Sequence, residues 1–136
     1  MEQIKELERL LKGFPLWEDI LLQIDGTQPQ PGACGLFPMG LEELSRQEDV
    51  TGCIRLRQRQ RFLLRRVFPR GEAAAGWLLR FQQWLPRSAP YIPAFGTDCV
   101  IRAERGRLAK HRQAGTDIYD VTVTVDYTKE NENGEN

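Results

Sequence analysis

The chain lacks closely spaced cysteines, has no long apolar run and contains a single histidine. Its three cysteines, Cys34, Cys53 and Cys99, are odd in number and far apart. That excludes the dense disulfide framework of a small secreted domain. No C-x-x-C pair occurs, so even with His111 the paired ligands of a structural zinc site are missing. No metal and no other cofactor is expected. No apolar stretch approaches the roughly 18 residues of a membrane span, and no membrane partner is expected. The start, MEQIKELERLLKGF, is charged throughout and has no apolar signal-peptide core. An intracellular product is expected. Phosphate-cradling glycine loops are absent, since neither G-x-x-x-x-G-K-S/T nor G-x-G-x-x-G occurs. His111 stands in a basic stretch with no Ser or Cys nucleophile beside it in sequence, so it reads as a solvated loop histidine. With no catalytic motif, the chain is not expected to be an enzyme.

What is present is concentrated between Val50 and Pro69, VTGCIRLRQRQRFLLRRVFP. Ile54, Leu56, Phe62, Leu64 and Phe68 fall on one parity. Arg55, Arg57, Arg59, Arg61 and Arg65 fall on the other. Period-two alternation predicts a long β-strand with one dry face and one wet face. The wet face carries a row of arginines that needs water, carboxylates or phosphate.

Net charge is zero but unevenly spread. Residues 1–49 carry ten acids and four bases, residues 50–116 three acids and fourteen bases, and residues 117–136 six acids and one base. A basic middle is thus flanked by acidic ends. Either acidic and basic strands pair inside one fold, or oppositely charged surfaces of neighbouring copies meet in an assembly. The two are compatible. Asp120 and Asp126 on the last strand are available to face the arginines. Together with Arg55, Arg57, Arg59 and Arg61 they form the candidate ion-pair or subunit-interface face. Nucleic acid could also use arginines. However, the interleaved residues are Gln, Leu and Ile rather than the aromatics that stack bases, so direct nucleic-acid binding is the alternative. Glu42-Glu43 and Glu48-Asp49 read as a solvated acidic edge.

Along the chain, residues 2–12 read as an amphipathic helix with Ile4, Leu7, Leu11 and Phe14 on one face, stopped by Gly13 and Pro15. Residues 18–25 alternate as a strand. Residues 25–32, DGTQPQPG, are turn chemistry. Residues 33–37 suggest a short strand that stops at Pro38-Met39-Gly40, and 41–47 lean to strand. Residues 72–85 predict a helix with Ala74, Trp77, Leu78, Phe81, Trp84 and Leu85 along one stripe. Residues 98–108 and 116–128 predict a hairpin turning at 113–115. In its second arm Tyr119, Val121, Val123, Val125 and Tyr127 point inward, and Asp120, Thr122, Thr124 and Asp126 point outward. Lys129 to Asn136 lack apolar residues and are expected to be a disordered acidic tail. The expected fold is a single α+β domain over residues 1–128. It is a mostly antiparallel sheet with a long strand, a C-terminal hairpin and two helices on one face. The expected core includes Leu7, Phe62, Leu64, Trp77, Leu78, Phe81, Val121, Val123 and Val125.

The segments GLFPMG, DVTGCIRLRQRQRFLLRR, GEAAAGWLLRFQQWL and IRAERGRLAKHRQAGTDIYDVTVTVDYTK, in this order after an N-terminal helix, resemble a family of small proteins of long-tailed phages and prophages of Gram-positive bacteria. These are minor capsid or tail-completion proteins. The element order is similar to that of the tail terminator class. The resemblance spans about residues 1–129, with Asp49, Gly52, Trp77, Trp84, Gly106, Leu108, Gly115 and Tyr119 as its most telling positions. It implies an α+β subunit that forms a ring and works in head–tail joining or tail completion. The implied partners are other copies of itself and the tail-tube and head–tail connector proteins, in the virion or the host cytoplasm. It implies no catalytic residue.

Overall fold

The computed structural model describes residues 2–17, 20–26, 32–69, 74–96, 98–104, 107–112 and 116–131. The order is α1 (Glu2–Lys12), β1 (Leu21–Ile24), β2 (Ala33–Glu48), β3 (Ile54–Pro69), α2 (Ala74–Trp84), two 3-10 turns (Leu85–Tyr91 and Pro93–Phe95), β4 (Val100–Ala103), β5 (Arg107–Arg112) and β6 (Thr116–Asn131). The fold is α+β. One sheet runs β1-β2-β3-β6-β4, and β5 also pairs with β6. Every strand pair is antiparallel except β1 with β2. Among the described residues, no helix is long and apolar enough to cross a membrane.

Alternation in β3 and β6 sorts side chains to two faces. On one face Phe62, Leu64, Val121, Val123 and Val125 are buried beneath both helices. Helix α1 contributes Ile4, Leu7 and Leu11, the turn after it contributes Phe14, and α2 contributes Ala74, Leu78 and Phe81. Helix α1 ends as its sequence requires: the Gly13 and Phe14 amides donate to the Leu10 and Leu11 carbonyls at 2.9 and 3.1 Å. Trp77 departs from expectation. It is half-buried and packs at the rim of the core rather than inside it. Its ring stacks on Phe81 with centroids 5.3 Å apart and meets Phe14 and Phe68 edge-on. Its Nε1 donates to the Leu16 carbonyl at 3.0 Å. An indole with a polar edge settles where that edge finds a partner.

Three strands, β2, β3 and β6, each have 16 residues, well beyond the usual 3–10. A strand of that length spans roughly 50 Å. An 11-residue helix such as α1 or α2 spans about 16 Å. The helices therefore cannot cover the whole ribbon. In β2, burial ends at Phe37, and every residue from Pro38 to Glu48 is exposed.

β2 is one strand, not a short strand ending at Pro38-Met39-Gly40. The breaker residues are absorbed by an irregularity between Pro38 and Gly40, and a second lies between Glu43 and Ser45. A bulge lets a strand carry an extra residue without ending. The turn into β3 is built by Asp49. Its Oδ1 accepts from the Thr51 and Cys53 amides at 2.9 and 3.0 Å and from Thr51 Oγ1 at 2.6 Å, while Gly52 takes φ 86°. That left-handed backbone favours glycine.

The first arm of the C-terminal hairpin is split. β5 pairs with Thr116–Asp120, and β4 pairs farther along, with Val123–Asp126. The expected turn at 113–115 lies outside the described residues. The expected disordered tail is corrected at its start: Lys129, Glu130 and Asn131 stand opposite Leu56, Arg55 and Ile54. Backbone pairing holds them although their side chains are polar. The rest of the tail, 132–136, lies outside the described residues, as do Glu18 and Glu72.

Truncation after Thr128 is therefore expected to lower stability by about 1 kcal/mol, because it strips a partner from the start of β3. Denaturant unfolding of the truncated and full chains measures this. Equal stability would show that these three pairings contribute nothing.

Candidate functional site

The arginine face lies on the side of the sheet away from the helices. Five side chains reach it from alternate positions of β3, and each meets an acid of this same chain. Arg59 stands directly opposite Asp126 in the β3–β6 register. It bonds the carboxylate through two parallel contacts, Nε to Oδ1 at 2.7 Å and Nη2 to Oδ2 at 2.9 Å. Arg65 stands opposite Asp120 and repeats the arrangement at 2.8 and 2.9 Å. Such forked pairs combine charge with geometry and are the strongest of the polar contacts here. Arg57 donates to Thr128 Oγ1 at 3.1 Å and lies 3.2 Å from Asp98 Oδ2. Arg61 reaches across to Glu42 on β2 at 3.2 Å. Arg55 meets Glu130 at 3.2 Å, with both side chains largely in solvent. Arg102 on β4 adds a contact to Asp126 at 3.5 Å.

These pairs are not equivalent. Asp126 is buried, with 8% of its surface exposed, although alternation assigned it to the wet face. The guanidinium groups of Arg59 and Arg102 lie over it, so the outward side of β6 is covered by long side chains. Thr124 on the same parity is buried too. The hydrogen bonds from Arg59 hold the Asp126 carboxyl below the usual carboxylate range, and the charges of Arg59, Arg102 and Arg57 act in the same direction. Asp98 is lowered first by the Thr128 hydroxyl and then by Arg57. At the exposed end, Arg55–Glu130 is a solvent-screened pair of small worth.

All six residues singled out from sequence lie on this one face, with Arg55, Arg57, Arg59 and Arg61 on β3 and Asp120 and Asp126 on β6. Sequence reasoning missed Asp98, Glu42, Glu130 and Arg102 as partners. A register signal was available for Glu130: once Arg59 is set opposite Asp126, antiparallel counting brings Arg55 to Glu130. Nothing comparable pointed to Asp98, which precedes β4. A polar cleft of about 390 Å³ opens at this end, lined by Ser45, Gln47, Arg57, Asp98 and Thr128 among others.

The thiols lie elsewhere. Cys34 is buried in β2, and burial pushes its pKa up to about 12, so it stays protonated and unreactive. Cys53 is in the β2–β3 turn, and Cys99 is buried just before β4. The backbone of His111 sits in β5 opposite Asp117. Among the described residues, no group of three or more His, Cys, Asp or Glu is arranged to hold a metal ion. Comparison with known protein families and with curated proteins gives no match to this chain.

The lowered pKa of Asp126 has a definite consequence for stability. A carboxyl made more acidic by folding adds stability that is complete above the ordinary Asp value of about 3.9. That stability is lost as pH falls through the lower folded-state value. Asp126→Asn is expected to destabilise the protein by a constant amount between about pH 5 and 7, with the gap to wild type narrowing below about pH 4. Glu130→Gln is expected to stay within about 0.5 kcal/mol of wild type. Urea unfolding at stepped pH checks both. A gap for Asp126→Asn that persists unchanged to pH 2 would mean that its carboxylate charge is not what Arg59 recognises.

Proposed function

We propose that this chain is a structural subunit of a tailed phage or prophage. It works in head–tail joining or tail completion as a member of the tail terminator class, by assembling into a ring. The observation that supports this most is the uncovered half of the ribbon. A strand segment from Pro38 to Glu48 whose residues are all exposed and whose outer edge has no partner among the described residues is costly for an isolated monomer and suits a subunit with neighbours. The element order, a helix, a long ribbon, a helix and a C-terminal hairpin, agrees with the likeness drawn from the sequence. The role is mechanical and not enzymatic: the ring caps tail-tube growth and receives the head connector. It acts in the host cytoplasm and then in the virion. The interface is head-to-tail and closes on itself.

The arginine face fits this reading better than nucleic-acid binding. Each of its β3 arginines has an acid within 3.2 Å, so phosphate would have to displace a carboxylate at every position. The isolated chain is expected to bind duplex DNA no tighter than non-specific proteins do, with Kd above about 1 μM at physiological salt. Submicromolar binding that is lost in the Arg57→Gln, Arg61→Gln double variant, with the fold retained, would favour the nucleic-acid alternative.

Native mass spectrometry, with and without a tail-tube protein of a Gram-positive siphophage, tests the main proposal. The expected outcome is one closed ring of fixed copy number, formed alone or on the tube. Strictly monomeric behaviour in both conditions would count against it.

A further inference from the structure

β1 covers only Ala33–Leu36 of the outer edge of β2. From Phe37 to Glu48 that edge has no strand partner among the described residues, a length of roughly 40 Å. Large apolar side chains lie along it, with Met39, Leu41 and Leu44 exposed by 58%, 59% and 40%. Open edges are ordinarily blunted by charge, proline or bulges. Pro38, Arg46 and the two irregularities do this in part, yet the apolar side chains remain.

We propose that the free edge of β2 takes the β5 strand of a second copy of this chain, so that the sheet continues from subunit to subunit. This rests on the ring reading and names the surface that reading needs. Charge selects the occupant. Glu42 is held by Arg61, but the β2 edge and its turn also carry Glu43, Glu48 and Asp49 against Arg46, whereas β5, RLAKHR, carries Arg107, Lys110 and Arg112 and no acid. Two β2 edges brought together would repel. β2 against β5 attracts, and this favours a head-to-tail contact over a two-fold one.

Topology agrees. β5 lies on β6, on the far side of the sheet from β2. β2, β3, β6 and β5 are linked by successive antiparallel pairings, so β5 runs antiparallel to β2. A neighbour related by rotation about an axis along the strands therefore presents β5 in the antiparallel sense. The irregularities between Pro38 and Gly40 and between Glu43 and Ser45 leave two short regular stretches, Gly40–Glu43 and Ser45–Glu48. Each can pair with only part of the six-residue β5, which disfavours unlimited stacking.

The test is charge-swap complementation, read by sedimentation velocity on the full chain over a concentration series. One variant carries Glu43→Lys and Glu48→Lys, both at exposed positions. The other carries Lys110→Glu and Arg112→Glu. Far-UV circular dichroism confirms the fold of each, and Leu41→Lys serves as a second edge variant. Wild type is expected to associate. Each swap is expected to weaken association at least about tenfold, and an equimolar mixture is expected to recover it. Variants that associate like wild type would overturn the edge pairing while leaving the ring reading intact. Weakening with no recovery on mixing would overturn β5 as the occupant. A wild type that is monomeric alone but rings on the tail tube would overturn intrinsic pairing while sparing the proposed function.

Discussion

The antiparallel register of β3 on β6 runs without a break from Ile54 opposite Asn131 to Pro69 opposite Thr116, and the other elements are placed by it. β2 is laid on the other edge of β3, while β4 and β5 share the far edge of β6. Because side chains alternate, this single register decides two things at once. It lines up Phe62 with Val123 and Leu64 with Val121 beneath the helices, and it lines up Arg59 with Asp126 and Arg65 with Asp120 on the opposite face. A slip by one residue would bury arginines and expose phenylalanine. The forked ion pairs thus reinforce a register that the core already demands.

The ribbon is unevenly supported along its length. At the end near Cys34, Leu36, Leu64 and Phe68, it is clamped between helices and a parallel fourth strand, with Ala33, Val67 and Ile118 forming a small second cluster. Toward the Asp49 turn, Ile54 and Leu56 are still buried, but β2 beside them is wholly exposed. Local opening is expected to be easiest there, where few apolar contacts resist it. That is also the part free to gain contacts from a neighbour. Stability is thus concentrated at one end, and the unpaired edge lies at the other.

Much of this was legible in the sequence because alternation is a local signal. Arginine against Ile, Leu and Phe in β3, and Val against Thr and Asp in β6, predict strands and faces directly. The stripe from Ala74 to Leu85 likewise predicts α2. What was not legible depends on distant residues. Pro38 and Gly40 look like a stop, and only pairing with β3 carries β2 through them. Lys129 and Glu130 look like tail, and only Leu56 and Arg55 across the ladder make them strand. Asp126 looks solvated until arginines from β3 and β4 close over it. Trp77 looks like core because sequence counts its rings and not its need for a hydrogen-bond acceptor, which Leu16 supplies from the segment after α1.

The basic row of β3 is answered within the chain, with Arg59 and Asp126 as its tightest unit. A double-mutant cycle on Arg59→Gln and Asp126→Asn, followed by denaturant unfolding, tests it most directly. The expected result is strong non-additivity, with the double variant no less stable than the worse single variant. Purely additive losses would contradict the claim, because they would mean that the two side chains stabilise the fold independently of each other.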